Sequence, residues 1–234
     1  MWKILDTGIA TAKRNMEIDR DLLEKMHPDD PPILHFYDWE GDAATHGHFL
    51  DPGKLIDLKA AEKLGLSLAR RPTGGGMVFH VSDLAFSVLI PANYPQFSLN
   101  TLDNYDFINS AVKSGVKTFF EVEPSLLPSE PAPLDENCRH FCYAKPTVYD
   151  VMLDGRKIAG AAQRRRKQGY LHQGSIAIAL PKENFLNSIL LPGTQVKEAM
   201  LATTFSILGE EWTQNDLIEV RELLKRQLQK EFTQ

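Results

Sequence analysis

Three groups of residues in this chain have the types and spacing to do chemistry together. The first is Cys142, in Arg139-His140-Phe141-Cys142-Tyr143. A thiol beside a cation ionises more readily and reacts as the thiolate, although a lone cysteine also serves as a small core residue. The second is Lys157, fifteen residues on, followed by Ile158, Ala159, Gly160, Ala161 and Ala162. Small side chains there leave a trough beside a strand. A lysine inside it needs an anionic or carbonyl partner; the alternative is a hairpin lysine in water. The third is the run Arg70-Arg71-Pro72-Thr73-Gly74-Gly75-Gly76-Met77-Val78-Phe79-His80. Its glycines let backbone N–H groups approach an anion or a developing oxyanion, or else simply turn a hairpin flanked by arginines. The chain contains no GxxxxGK[ST], and no GxGxxG opens a helix, so neither common phosphate loop is present. His80 reads equally as a proton relay or as a hydrogen-bonding strand end. Cys138 lacks a cationic partner by spacing and reads as incidental. Cys138, His140 and Cys142 fall short of a four-ligand zinc site, because no second cluster accompanies them, and no metal is expected.

The elements that must hold these groups follow from periodicity and punctuation. Residues 2–7 read as a strand and Thr11–Met26 as a helix with Ala12, Met16, Leu22, Leu23 and Met26 along one stripe; Asn15 and Asp19, four apart, share a face. Ile33–Trp39 and Ala43–Phe49 read as strands and Lys54–Leu64 as a short helix. Leu66–Arg71 and Met77–Pro91 flank the glycine turn, with Leu84–Ile90 a mostly buried strand. Asn104–Phe120 reads as a helix capped by Asp103. Residues 121–137, acidic and carrying Pro124, Pro128, Pro131 and Pro133, read as a loop without regular structure, either a lid or a plain surface segment. Asp154-Gly155 is a strong hairpin signal between Thr147–Leu153 and Arg156–Arg164, and Tyr170–Leu180 supplies a third strand. Thr213–Phe232 is an amphipathic helix with Leu217, Val220, Leu224 and Leu228 on its apolar stripe. This interleaving predicts an α+β fold, with a mixed, mostly antiparallel sheet flanked by helices.

Composition narrows the function classes. The chain has 234 residues, 43% hydrophobic and 24% charged, with a net charge of −5. That balance suits one large globular domain and argues against a nucleic-acid-coating surface. The apolar runs are strand-length, so no membrane span is expected. The N-terminus has no signal-peptide or transit character, which makes the cytoplasm the expected location. Two cysteines so closely spaced also argue against a structural disulfide.

Taken together, RRPTGGGMVFH (70–80) and DGRKIAGAAQRR (154–165) resemble the lipoate/octanoate branch of the biotin–lipoate protein ligase superfamily. NMEIDRDLL (15–23) and the pair ILHFYDW and THGHF extend the resemblance over most of residues 1–180. It implies the ligase-type catalytic fold over 1–234, with a core at 1–180 and a C-terminal helical segment at 181–234. It also implies transfer of an octanoyl or lipoyl group to a lysine of a lipoyl carrier domain, that of a 2-oxoacid dehydrogenase E2 or of a glycine cleavage H protein. In CYAKPTVYDVMLDGRK (142–157) the chain resembles the M-type octanoyltransferases. There Cys142 carries the acyl group as a thioester received from acyl carrier protein, Lys157 lowers its pKa and polarises the carbonyl, and no cofactor is needed. The runner-up is an ATP-dependent lipoate–protein ligase, with Arg71, Gly76, Met77, Val78, Phe79 and Lys157 holding an adenylate and Mg²⁺ assisting. A third reading is a silent lipoate-binding relative. Substrate-binding positions carried over from the resemblance are Arg71, Thr73, Gly74, Gly75, Gly76, Met77, Val78, Phe79, His80, Gly160 and Ala161. Biotin transfer fits less well, since the arginine–glycine alternation of biotin ligases is missing. One departure stands out: the acidic residue that commonly follows the histidine is replaced by Val81, with Asp83 two positions further on. The cluster Arg164-Arg165-Arg166-Lys167 is either a docking patch for acidic carriers or a solvated hairpin tip.

Overall fold

In the computed structural model residues 1–209 and 211–234 are described. Among them the chain runs β1 (Lys3–Ala10), α1 (Ala12–Lys25), β2 (Ile33–Trp39), β3 (Ala43–His46), α2 (Leu58–Lys63), β4 (Ser67–Arg70), β5 (Met77–His80), β6 (Asp83–Pro91), α3 (Thr101–Lys117), β7 (Ser125–Leu126), β8 (Val151–Leu153), β9 (Arg156–Arg166), β10 (Gly169–Ala177), α4 (Glu183–Ile189), α5 (Val196–Thr203) and α6 (Gln214–Thr233). The main sheet has the order β1-β2-β6-β10-β9-β8-β7. Only its β1–β2 pair is parallel. A second sheet, β4-β3-β5, pairs β3 with β4 in parallel and with β5 antiparallel. The mixed, mostly antiparallel α+β class expected from the sequence is the one observed. No helix among the described residues is long and apolar enough to cross a membrane.

The central strands β6 and β10 are buried along their whole length, yet their two faces differ in chemistry. Strand side chains alternate, so Leu84, Phe86, Val88 and Ile90 of β6 join Tyr170 and Ile176 of β10 on one face. There they meet Ile108, Val112 and Val116 of α3 and Leu217, Leu224 and Leu228 of α6. Burying each of those leucines contributes on the order of 2 kcal/mol, so α6 is held by its stripe rather than by helix propensity. The opposite face of the same strands carries Asp83, Ser87, Gln173 and Ser175, all buried. This polar strip, roofed by α1 and the second sheet, is the floor on which the site is built.

Several boundaries differ from the sequence reading, each for a local reason. α3 begins earlier than Asn104, because Asn100 rather than Asp103 caps it by accepting from the Leu102 N–H; Asp103 instead accepts from Asn100 and Ser98. β3 stops at His46, since Gly47 and His48 turn onto the triglycine segment and the His48 N–H bonds Thr73 O at 3.0 Å. The helix expected from Lys54 starts at Leu58, capped by Asp57. Residues 121–137 include a two-residue strand, β7, paired with β8. β9 runs on to Arg166, beyond the predicted Arg164.

Candidate active site

Lys157 enters the site from the start of β9, immediately after the Asp154-Gly155 turn, and is 3% exposed. Its Nζ lies 2.7 Å from Asp150 Oδ2 and donates to the backbone carbonyl of Cys142 at 2.8 Å. The trough lysine therefore has both an anionic and a carbonyl partner. Burial raises the Asp150 carboxyl above its ordinary range, and the Lys157 ammonium pulls it back. Asp150 is itself fixed by the Thr147 N–H at 2.6 Å and the Thr147 hydroxyl at 3.1 Å. Next to it Tyr149 has φ 67, an unusual conformation for a bulky residue, with its carbonyl held by Asn109 Nδ2. Gly160 completes this arrangement: a Cβ there would overlap Lys157 Cε and Nζ and Asp150 Oδ1. An ammonium has three donors, and two are used by Asp150 and Cys142.

Cys142 is half-buried. Its N–H donates to Met77 O at 3.0 Å and Phe141 bridges Met77, so the Cys142 backbone is stitched to β5 on one side and to Lys157 on the other. Cys138 is fully buried, and burial and Asp135 push its thiol upward.

Arg71 is 5% exposed and works as a clamp on the triglycine turn. Its guanidinium donates to the Thr45 carbonyl and hydroxyl at 3.0 and 2.8 Å, to Gly74 O at 3.0 Å and to Gly76 O at 2.7 Å. No carboxylate among the described residues pairs with it. Gly47 lets β3 pass against the turn, since a Cβ at that position would overlap Gly75 O. Thr73 is tied down from the other direction: its hydroxyl donates to Gln173 Oε1 at 2.7 Å, and Gln173 Nε2 donates to Asp19 Oδ2 at 2.6 Å. Asp19 also takes the Ser87 hydroxyl at 2.6 Å and His35 Nδ1 at 2.8 Å. The Asn15/Asp19 face of α1 thus reaches the turn through β10.

His80 belongs to a second buried chain. Arg71 occupies one lone pair of the Thr45 hydroxyl, which directs the Thr45 proton to His80 Nε2 at 2.8 Å. His80 Nδ1 then donates to Asp83 Oδ2 at 2.8 Å, which also accepts from Ser175 at 2.5 Å. Ser175 in turn takes the Tyr143 hydroxyl proton at 2.6 Å. Burial works to raise the Asp83 carboxyl, but His80 and Ser175 outweigh it and hold it below the usual carboxylate range. Asp83, two residues past Val81, is the carboxylate that holds His80. Trp39 stacks on the His80 ring at 4.3 Å.

These chains enclose a narrow cavity against the floor of the main sheet. Cys142, Lys157, Arg71, Val78, His80, Gly160 and Ala161 line it, seven of the positions singled out from the sequence. The remaining six do not. Period two along β5 sends Val78 and His80 to the cavity, and Met77 and Phe79 into the apolar cluster with Phe141. Thr73 and Gly76 support the turn, and Gly74 and Gly75 face a separate groove of about 600 Å³ beside Phe49 and His140. Sequence reasoning passed over Asp150 and the cavity walls Met16, Tyr37, Tyr143 and Gln173. The one usable signal was the polar residues alternating along otherwise buried strands. Of the positions the ligase reading assigned to an adenylate, Arg71, Val78 and Lys157 line the cavity, while Gly76, Met77 and Phe79 do not. Among the described residues no cluster of His, Cys, Asp or Glu gathers to hold Mg²⁺.

The mixed main sheet and the smaller second sheet place the chain in the lipoate-ligase class of fold. The solved lipoate-protein ligase A bound with ATP has this fold, with a TM-score of 0.71 over 99% of this chain and 84% of that one at 21% identity. The bipartite lipoate protein ligase of Thermoplasma acidophilum, studied with its E2 lipoyl domain, gives 0.70 over 99% and 84%, also at 21% identity. By sequence, the chain belongs to the lipoyl protein ligase A/B catalytic domain family, whose profile matches residues 11–206. Among curated relatives, the octanoyltransferase LipM of Geobacillus kaustophilus is 32% identical over 207 residues, 86% of this chain and 73% of that protein.

Proposed function

We propose that this chain is an octanoyltransferase of protein lipoylation, moving an acyl group from acyl carrier protein to the acceptor lysine of a lipoyl domain through a Cys142 thioester. The observation that carries the reading is the seating of Cys142 in the cavity wall, with the Lys157 ammonium on its own carbonyl. The likeness to LipM octanoyltransferases supports it.

In this reaction the Cys142 sulfur attacks the octanoyl thioester carbonyl and forms a new C–S bond. The third Lys157 N–H stabilises the oxyanion, a contribution worth on the order of 10²–10³ in rate. Collapse breaks the donor's C–S bond, and its thiolate leaves with the proton Cys142 gave up. The acceptor lysine then attacks the acyl-enzyme as a neutral amine; Cys142 departs as thiolate, regains a proton from the amine, and an amide remains. His80, held between Asp83 and Thr45, braces the cavity wall.

The acceptor is a lipoyl domain of a 2-oxoacid dehydrogenase E2 or of a glycine cleavage H protein. The test is transfer from octanoyl-acyl carrier protein to an apo-lipoyl domain without ATP. Octanoylated domain in that mixture is the expected result. Modification only with lipoate, ATP and Mg²⁺ would establish the ligase reading instead, and lipoate binding without modification by either route the silent one.

A further inference from the structure

Beside the cavity, and sharing Met16 and Arg71 with it, is a groove of about 400 Å³ between α1, β4 and the Arg71–Pro72 bend. Lys13 and Arg20 of α1, Arg70 at the end of β4 and Arg164 of β9 line it. Glu17 is the acidic residue among its walls, and that carboxylate faces Arg14 at 3.8 Å. Lys13, Arg70 and Arg164 have no ion-pair partner among the described residues; Arg164 donates to Pro72 O at 2.7 Å. Arg71 adds a buried guanidinium with only neutral acceptors. On a chain with a net charge of −5, this is a local concentration of cations that composition does not explain.

We propose that this groove docks the acidic carrier protein that delivers the acyl group, with its phosphodiester-linked arm. The inference rests on the transferase reading for the identity of the cargo. Charge complementarity selects the donor over the acceptor. A donor's arm carries a phosphodiester, the anion a cationic groove holds, whereas an acceptor's lysine arm carries none. The groove's lining of Leu68, Ala69 and Pro72 suits the apolar part of such an arm. Steering by these cations acts on encounter, so its effect weakens with ionic strength.

The experiment uses the full chain and the variant K13E/R20E, two exposed positions on α1 outside the cavity's reacting groups. The binding probe is labelled acyl carrier protein carrying octanoate through a non-hydrolysable amide; the kinetic probe is a small octanoyl thioester lacking any carrier. The expected result is a loss of at least tenfold in carrier affinity at low salt, a gap that narrows at high salt, and unchanged reaction with the small thioester. Equal carrier binding by both proteins would overturn the proposal. So would an equal loss with the small thioester, which would place the effect in the cavity, or a loss confined to an apo-lipoyl domain, which would make the acceptor the occupant. Salt-sensitive carrier binding lost in the variant, with no acyl transfer by the wild-type chain, would uphold the groove while removing the transferase reading.

Discussion

At the residue scale the account rests on Lys157, Asp150 and Cys142. Lys157→Ala removes the proposed oxyanion donor and should lower acyl transfer by at least 10²-fold, read as turnover with saturating donor. Asp150→Asn should be costly in another way. Breaking a buried ion pair from one side leaves an uncompensated charge, so a stability loss of about 3–5 kcal/mol is expected in denaturant melts. The double variant D150L/K157M, apolar at both positions, should recover most of that stability and remain inactive. If it stays as unstable as Asp150→Asn alone, the pair is not what holds this part of the fold. Cys138→Ala should keep near-normal activity, since its thiol is buried in the apolar cluster with Phe141.

At the element scale, what the sequence revealed depended on the range of the interaction. β2 was legible to the residue, α1 from its apolar stripe, and the β8–β9 hairpin from Asp154-Gly155, because each is written in local periodicity or turn chemistry. The lysine trough was also legible, as a run of small residues along one strand. Asp150 was not, since its partnership with Lys157 depends on the loop from Thr147 folding back with Tyr149 in a left-handed conformation. Nor was the Thr73–Gln173–Asp19 chain, whose members are brought together from α1, the turn and β10. Nor was the orientation of β5: all four of its side chains are buried, and only tertiary packing decides which alternate pair faces the cavity. Gly160→Ala tests this scale directly. Its Cβ would displace the Lys157–Asp150 pair, so activity should fall at least tenfold while far-UV circular dichroism is retained. A fully active variant would mean that the pair tolerates displacement.

At the scale of the whole molecule, one face of the central strands carries the apolar core and the other the polar site, so acid should weaken both together. His172 on β10 is fully buried against Phe86 and Tyr105, and burial lowers its pKa from 6.5 to about 3. Below pH 6.5 the unfolded chain takes up a proton that the folded chain refuses. Stability is therefore full above that pH and falls by about 1.4 kcal/mol per unit as pH drops towards 3. Asp83, held below its ordinary range, adds a loss of the same sign as the pH falls through its folded value. His172→Phe should flatten the slope between pH 6 and 4, measured by urea melts, and an unchanged slope would assign the acid sensitivity elsewhere. The same architecture sets the chemistry in one place: the small sheet and α1 press the clamped glycine turn over the floor of the main sheet, and Cys142 and Lys157 meet at its edge. The most direct measurement of the central claim is the intact mass of the protein after incubation with octanoyl-acyl carrier protein in the absence of ATP. The account predicts one octanoyl group, removed by hydroxylamine and absent from Cys142→Ala. An unmodified mass with a proven acyl donor, or an adduct that persists in Cys142→Ala, would contradict it.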